Sequence, residues 1–272
     1  MGMQGQLTKA NFGYSVPVDA PLYTPFPVLY EDVSMLVFPY VTSADAAARH
    51  LPAQFELSPV PGDPEGKLAG AMVMFAKYGF SSVGGYNEVA QVISARYRGP
   101  VPAGVSADVG FAVRLHVDNA VAMAFGREVG GFPKKMGQIA FEESPVYFSC
   151  LEDPKGLRIC SGELTPLGKL ADLQAPNVLP FASLRVLPSP ASVTAPYQPS
   201  VCQVIYTEWV QTEGAFWAGR GALSFTGASA LNPYHTLPIL QAAPPRSSLA
   251  ESGIALFRGR MEISKVLVLE DF

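Results

Sequence analysis

Residues 68–97 read LAGAMVMFAKYGFSSVGGYNEVAQVISARY, and this stretch decides the fold class. It holds two β-like runs, at residues 68–78 and 88–97, on either side of a turn at residues 84–87. Similar runs recur at residues 33–40, 110–117, 203–211 and 265–269. The 25 Pro and 25 Gly are spread along the chain and divide it into short segments. The pattern predicts a protein built mainly of strands.

Helix signals are fewer. The residues Thr42, Ser43 and Asp45 resemble a helix cap before AAARHLP, and Pro52 is expected to stop that helix. A second helix is predicted at Ala120–Glu128. Many strands, few helices and no regular alternation of the two indicate an antiparallel, β-rich α+β fold. The Pro- and Ser-rich segment 188–199 is too short to separate two domains, so residues 1–272 are expected to form one domain.

The composition limits the partners of the chain. Only 15% of the 272 residues are charged, which favours a large core or subunit contacts, and we expect a homo-oligomer. The net charge is −4 and the 19 basic residues are scattered, which argues against a nucleic-acid partner. No apolar run approaches the roughly 18 residues of a membrane span. The N-terminus lacks the apolar core of a signal peptide.

The cysteines point to the compartment. Cys150, Cys160 and Cys202 are odd in number and show no CxxC spacing, which is typical of reduced thiols. We therefore expect a cytoplasmic protein.

Several kinds of site can be set aside. Residues 126–137, GREVGGFPKKMG, lack the Gly-Lys-Ser/Thr ending of a phosphate loop, and no dinucleotide fingerprint or GxSxG elbow occurs. The three histidines stand alone, so neither a metal nor a cofactor is expected. His116 is best interpreted as a hydrogen-bonded core residue. His235 is a candidate pocket residue, although a lone His in a loop is the commoner case.

The unusual feature is the lysine pair in Phe132-Pro133-Lys134-Lys135. The residues KKMGQIAF read as a strand, in which neighbours point to opposite faces. One lysine is therefore expected to face inward and the other outward, and the periodicity alone does not choose between them. The alternative is a solvated pair on a loop, because charges usually lie at the surface.

An inward lysine has a distinctive chemistry. Burial disfavours the charged form, and a fall in pKa from about 10.4 to about 7 raises the neutral fraction near pH 7 roughly a thousandfold. A neutral amine can attack a ketone to form an imine, which is an electron sink for cleavage of an adjacent C–C bond.

The surrounding residues resemble a known family. Asp118-Asn119, AFGRE at residues 124–128 and GFPKKMG at residues 131–137 are similar to the signature of the acetoacetate decarboxylase family. Further landmarks follow the family order, at residues 45–57, 86–89, 179–190 and 216–219. The resemblance implies a barrel-like fold of mainly antiparallel sheets with a few short helices. It also implies an enzyme that needs no cofactor.

The resemblance assigns roles to residues of this chain. Lys134 would form the imine, Lys135 would be its neighbouring cation, and Glu88 would be the acid/base carboxylate. Apolar walls that lower the pKa of the lysine would come from Phe132, Met136 and Trp217.

Two departures from the family are informative. Val33 stands where decarboxylases of the family carry an arginine, and no arginine precedes Arg49. The second family glutamate is also missing, since residues 68–87 contain no carboxylate. We therefore expect acetoacetate to be a poor substrate and a larger, less charged keto or aldehyde compound to fit better.

Three functions remain open. The first is a Schiff-base lyase acting on a keto acid or β-dicarbonyl compound, by decarboxylation or by aldol/dehydration-type chemistry. The second is a cyclase or dehydratase of a natural-product pathway. The third is a non-catalytic protein that binds an apolar ligand, and it is disfavoured by the retention of Lys134 and Glu88.

Overall fold

The computed structural model describes residues 26–172, 179–189, 199–227, 232–244 and 253–271. Within these ranges the chain forms thirteen strands, two α-helices and a 3-10 turn at Pro233–Thr236. The strands are β1 (Val28–Ser43), β2 (Phe55–Leu57), β3 (Leu68–Ser81), β4 (Tyr86–Tyr97), β5 (Asp108–Val117), β6 (Lys134–Met136), β7 (Gln138–Glu142), β8 (Tyr147–Glu152), β9 (Arg158–Asp172), β10 (Phe181–Pro188), β11 (Pro199–Phe225), β12 (Gln241–Ala242) and β13 (Ala255–Asp271). The helices are α1 (Ala44–Ala48) and α2 (Ala120–Glu128).

Seven strands close into a barrel. Their order is β10-β5-β4-β3-β1-β13-β11, and β11 pairs with β10 to complete the ring. Neighbours in the ring run antiparallel, except for the parallel pair of β10 with β5. Strands β9, β8 and β7 continue the sheet from β11 and pack over the outer side of the barrel. The predicted β-rich, mainly antiparallel, barrel-like fold is confirmed, while the single domain and the homo-oligomer stay predictions.

Strand β3 explains why residues 68–78 are almost continuously apolar. Its residues Met74 and Tyr78 face the lumen of the barrel, whereas Val73 and Phe75 pack against the outer layer. Adjacent side chains of a strand point to opposite faces. A strand that is covered on both faces therefore needs apolar residues at nearly every position.

Aromatic rings fill the lumen next to the β3–β4 turn. The ring centroids of Tyr30 and Tyr78 are 4.7 Å apart, those of Tyr78 and Tyr86 are also 4.7 Å apart, and those of Tyr30 and Trp209 are 5.1 Å apart. All four side chains are buried. This part of the barrel is a solid core.

Both predicted helices are present. Ser43 caps α1 by accepting a hydrogen bond from the Ala46 backbone N–H at 3.4 Å, and the helix ends at Ala48, before Pro52. Asn119 caps α2 through Oδ1, which accepts from the N–H groups of Val121 and Ala122 at 2.8 and 3.0 Å. Neither helix in the described ranges is long and apolar enough to cross a membrane.

We predict that Asn119→Ala lowers the free energy of unfolding by about 1 kcal/mol, because two N–H groups of α2 lose their acceptor. Asn119→Ser is the matched control, since its hydroxyl can still cap the helix. Urea unfolding of the two variants provides the measurement. Equal stabilities for the Ala and Ser variants would contradict the capping role.

Candidate active site

Strand pairing decides which lysine enters the barrel. Strand β6 lies parallel to β5, with Lys134 opposite Leu115 and Lys135 opposite His116. Leu115 belongs to the cluster that lines the lumen. Lys134 shares that face and is only 5% exposed, whereas the side chain of Lys135 is 65% exposed. The strand periodicity left this choice open while the family resemblance favoured Lys134, and the register of β6 against β5 turns Lys134 inward.

Lys134 meets a carboxylate inside the barrel. Its Nζ lies 2.7 Å from Oε2 of Glu88, which projects from β4, and both side chains are buried. The two groups are close enough for an ion pair, but their angles do not meet those of a hydrogen bond. The same Nζ lies 5.4 Å from the ring centroid of Tyr86 and 5.9 Å from that of Phe132. The ammonium group therefore has one anionic neighbour and two aromatic rings.

The phenol of Tyr86 contributes no charge at this site. Burial raises the pKa of Tyr86 well above its ordinary value, and the nearby Tyr30 and Glu88 raise it further. Its hydroxyl group is buried next to Tyr30. Tyr86 therefore remains protonated and faces Lys134 as an aromatic ring.

The Lys134 cavity is small and mostly apolar. Its volume is about 20 Å³, enough for about one water molecule. Besides Lys134 and Glu88, its lining consists of Met74, Ala90, Val92, Ala112, Leu115, Phe132, Phe181 and Trp209. None of the described residues that line this cavity is an arginine. Val33, which stands at the position expected for an arginine, is buried in the apolar cluster of the lumen.

A second and larger cavity adjoins the first. Its volume is about 510 Å³, and Met74 and Phe181 belong to the linings of both cavities. The remaining wall comes from β1 and β3, where Val37 and Met72 project into it, and from other segments that include residues 58–61 and 241–244. The larger cavity has the volume of a small-molecule site, which the Lys134 cavity lacks.

Strand β10 fixes the loop that leads to Lys134. Ser183 donates a hydrogen bond through Oγ to the Gly130 carbonyl at 2.6 Å, and Arg185 donates through Nε to the Glu128 carbonyl at 2.5 Å. Gly131 has a φ of 66°, and a Cβ there would lie 2.7 Å from the Arg185 backbone nitrogen. A side chain at residue 131 would therefore collide with β10, so the glycine is required by the close approach of the two backbones.

Lys135 is paired on the opposite side of the sheet. Its Nζ contacts Asp153 Oδ2, which lies 3.3 Å from Nε2 of His116. The other ring nitrogen of His116 is 3.3 Å from the hydroxyl of Tyr234. Burial lowers the pKa of His116, against the opposing effect of Asp153. His116 is thus the buried, hydrogen-bonded residue that was expected, and Lys135 directs its charge away from the lumen.

Three expected wall residues do not line the Lys134 cavity. Met136 is 40% exposed, because β6 has only three residues and the chain has already left the barrel after Lys134. Trp217 packs in the outer layer, whereas its neighbour Phe216 faces the lumen. His235 lies in the 3-10 turn outside the barrel, with its ring centroid 6.1 Å from that of Phe225. Of the predicted walls, only Phe132 lies beside Lys134.

Trp209 takes the place expected for Trp217. The two residues lie on β11 an even number of positions apart, so simple alternation would put both on one face. The register of β11 against β13 shifts between Gln211 and Glu213, however, and this irregularity reverses the faces. The sequence shows that both tryptophans are present, but it does not indicate the register shift.

Among the described residues, no cluster of His, Cys, Asp and Glu side chains could hold a metal ion.

We predict that the effect of Gly126→Ala on the free energy of unfolding depends on Lys134. A Cβ at residue 126 would lie 2.5 Å from Lys134 Cδ. Alanine in a helix normally stabilises by up to about 1 kcal/mol relative to glycine, and the clash should cancel this gain. In a Lys134→Ala background the clash is absent, and Gly126→Ala should then stabilise. Thermal or urea unfolding of the four proteins completes the double-mutant cycle. The same effect of Gly126→Ala in both backgrounds would refute the contact.

Comparison with known proteins gives a consistent result. The family model described as acetoacetate decarboxylase (ADC) matches residues 15–259. A decarboxylase, DEC1, of Cochliobolus heterostrophus is 24% identical over 249 residues, covering 89% of this chain and 91% of that protein. The acetoacetate decarboxylase of Paraburkholderia xenovorans is 25% identical over 258 residues, covering 89% and 90%. The crystal structure of acetoacetate decarboxylase from Legionella pneumophila aligns with a TM-score of 0.74 at 21% identity, covering 99% of each chain.

Proposed function

Because the chain belongs to the acetoacetate decarboxylase family, we propose that it is a lyase that forms an imine between Lys134 and the ketone of a 3-oxo acid. The observation that carries the proposal is the buried Lys134 Nζ, 2.7 Å from Glu88 in an apolar cavity. A buried pair of lysine and glutamate has a higher desolvation cost than apolar residues of similar volume would have. Stability alone therefore does not explain the pair. A chemical role explains why the pair is present.

The proposed reaction begins with a proton transfer. Glu88 accepts a proton from the ammonium of Lys134, which the 2.7 Å separation permits. The neutral amine attacks the ketone carbon, and loss of one water gives the imine. The protonated imine then draws the electron pair of the adjacent C–C bond, so that carbon dioxide leaves and an enamine forms. Glu88, whose first proton has gone to the departing water so that the imine forms protonated, takes up a second proton from solvent and donates it to the enamine carbon. Water then hydrolyses the imine to release the ketone and Lys134.

The apolar lining favours the loss of carbon dioxide. A substrate carboxylate is poorly solvated among residues such as Val92, Ala112 and Leu115, whereas carbon dioxide is neutral. Trp209 can orient the carboxylate, because its Nε1–H is buried without a hydrogen-bond partner among the described residues. We assign Trp209 the role of substrate-carboxylate donor.

A second candidate function uses the same imine. An enamine on Lys134 could add to an aldehyde, and dehydration would follow. The observation that favours this route is the absence of arginine from the lining of the Lys134 cavity, because an aldehyde brings no second carboxylate to be bound. The products separate the two candidates, since only decarboxylation releases carbon dioxide.

We predict that borohydride in the presence of 2-butanone traps an adduct on Lys134. Lys134→Ala should abolish this adduct. Glu88→Gln should slow its formation by about 10²–10⁴-fold, because the ammonium loses its proton acceptor. Peptide mass mapping locates the adduct, and the time course gives the rate.

Lys135→Met is the matched control, since it removes the exposed lysine and keeps a side chain of similar length. This variant should still give the adduct on Lys134. An adduct that maps to Lys135, or no adduct at saturating ketone, would overturn the proposed function.

We also predict that acetoacetate is a poor substrate. Hydrogen bonds to a charged group contribute about 1.5–3 kcal/mol, and no arginine lines the Lys134 cavity. The kcat/KM for carbon dioxide release should therefore be about 10- to 100-fold below that of the Paraburkholderia xenovorans enzyme assayed in parallel. Equal values would mean that another group of this chain binds the carboxylate.

A further inference from the structure

The barrel lumen is filled at one end and hollow at the other. The filled end holds Tyr30, Tyr78, Tyr86 and Trp209. The hollow end is the cavity of about 510 Å³, a size within the roughly 300–1,000 Å³ of small-molecule sites. Lys134 lies between the two ends, because the larger cavity meets the Lys134 cavity at Met74 and Phe181.

The burial pattern of two strands marks where the hollow begins. On β1, Leu36, Phe38 and Tyr40 face the outer layer and are buried, whereas Val37 and Val41 face the lumen and are only half-buried. The same alternation occurs on β3, where Met72 and Met74 are half-buried and Val73 between them is buried. Apolar side chains on the inner face of a barrel normally contact one another on all sides. Here Val37, Met72 and Met74 pack against the lumen cluster on one side and line empty space on the other.

We propose that this hollow binds the hydrocarbon chain of the substrate, and that the enzyme acts on 3-oxo acids with an alkyl chain longer than that of acetoacetate. This inference rests on the proposed imine chemistry at Lys134. Met74 and Phe181 form the boundary between the two cavities, so the ketone carbon reaches Lys134 on one side while the alkyl chain lies on the other. Val37 and Met72 line the chain-binding wall.

The polar groups of the hollow fit this orientation. Ser58, Ser94 and Gln241 contribute polar atoms to a wall that is otherwise mainly apolar. Gln211 is 6% exposed, and its Oε1 has no hydrogen-bond partner among the described residues. An amide in this wall can contact water or a polar substituent on the chain. Within the ranges that the structure describes, no lysine or arginine lines the hollow.

The test is a trapping series with methyl ketones of increasing length, from 2-butanone through 2-heptanone to 2-decanone. Methyl ketones need no decarboxylation, so the series reports binding and imine formation alone. Burial of each added methylene should increase the trapping efficiency at Lys134 by about fourfold, until the chain fills the hollow. Lys155, which is exposed in the turn before β9, serves as the internal reference for non-specific modification.

A matched pair of variants tests where the alkyl chain of the ketone binds. Val37→Phe adds a ring to the wall of the hollow, and it should lower the ratio of 2-decanone to 2-butanone trapping by at least about tenfold. Val268→Phe makes the same change at a position that is 52% exposed, and it should leave that ratio unchanged.

The outcomes separate the two proposals. Adducts on Lys134 that form equally well with short and long ketones would overturn the chain-binding inference and leave the imine chemistry standing. The absence of any Lys134 adduct along the series would overturn the proposed function itself. If Val37→Phe does not fold, the length dependence in the unaltered protein still decides the inference.

Discussion

The contact between Lys134 and Glu88 is the interaction that the strands of the barrel hold in place. Removing an ion from water costs several kcal/mol even when it is paired, so such a pair persists only where the fold imposes it. Here the fold imposes it through two strands, since Glu88 comes from β4 and Lys134 from β6, on either side of β5. The loop before Lys134 is held by β10, through Ser183 and Arg185. The lysine is therefore positioned by the ring of strands and not by local sequence alone.

Lys134 and Lys135 point in opposite directions because they are neighbours on β6. Because β6 is extended, Lys134 enters the lumen and Lys135 meets Asp153 outside it. The Lys135 ammonium is paired with Asp153. Its electrostatic effect on Lys134 is therefore weakened both by the negative charge of Asp153 and by distance. Glu88 is the single close counter-charge of Lys134 among the described residues.

The sequence predicted those features that depend on local pattern. Continuous apolar runs and turn residues predicted the strands, and the resemblance of the GFPKK block to the family signature implied a site formed by Lys134 and Glu88. Features that depend on register could not be predicted. The shift near Gln211 moved Trp217 out of the lumen and brought Trp209 in, and the short β6 left Met136 in solvent. Neither irregularity has a signature in the residues themselves, since both arise from how distant strands align.

The division of the lumen suggests how one barrel can accept different substrates. The tyrosines at the filled end pack against Trp209, whose edge also lines the Lys134 cavity, so changes there would disturb the reacting groups. Residues such as Val37 and Met72 at the hollow end line the cavity and pack at the edge of the lumen cluster. Exchanging their side chains alters the size of the hollow without altering the strand register that holds Lys134 next to Glu88. Under the proposed function, substrate size and chemistry would be set by separate parts of the same lumen, because backbone hydrogen bonds fix Lys134 and Glu88 while the side chains at the hollow end define the space beside them.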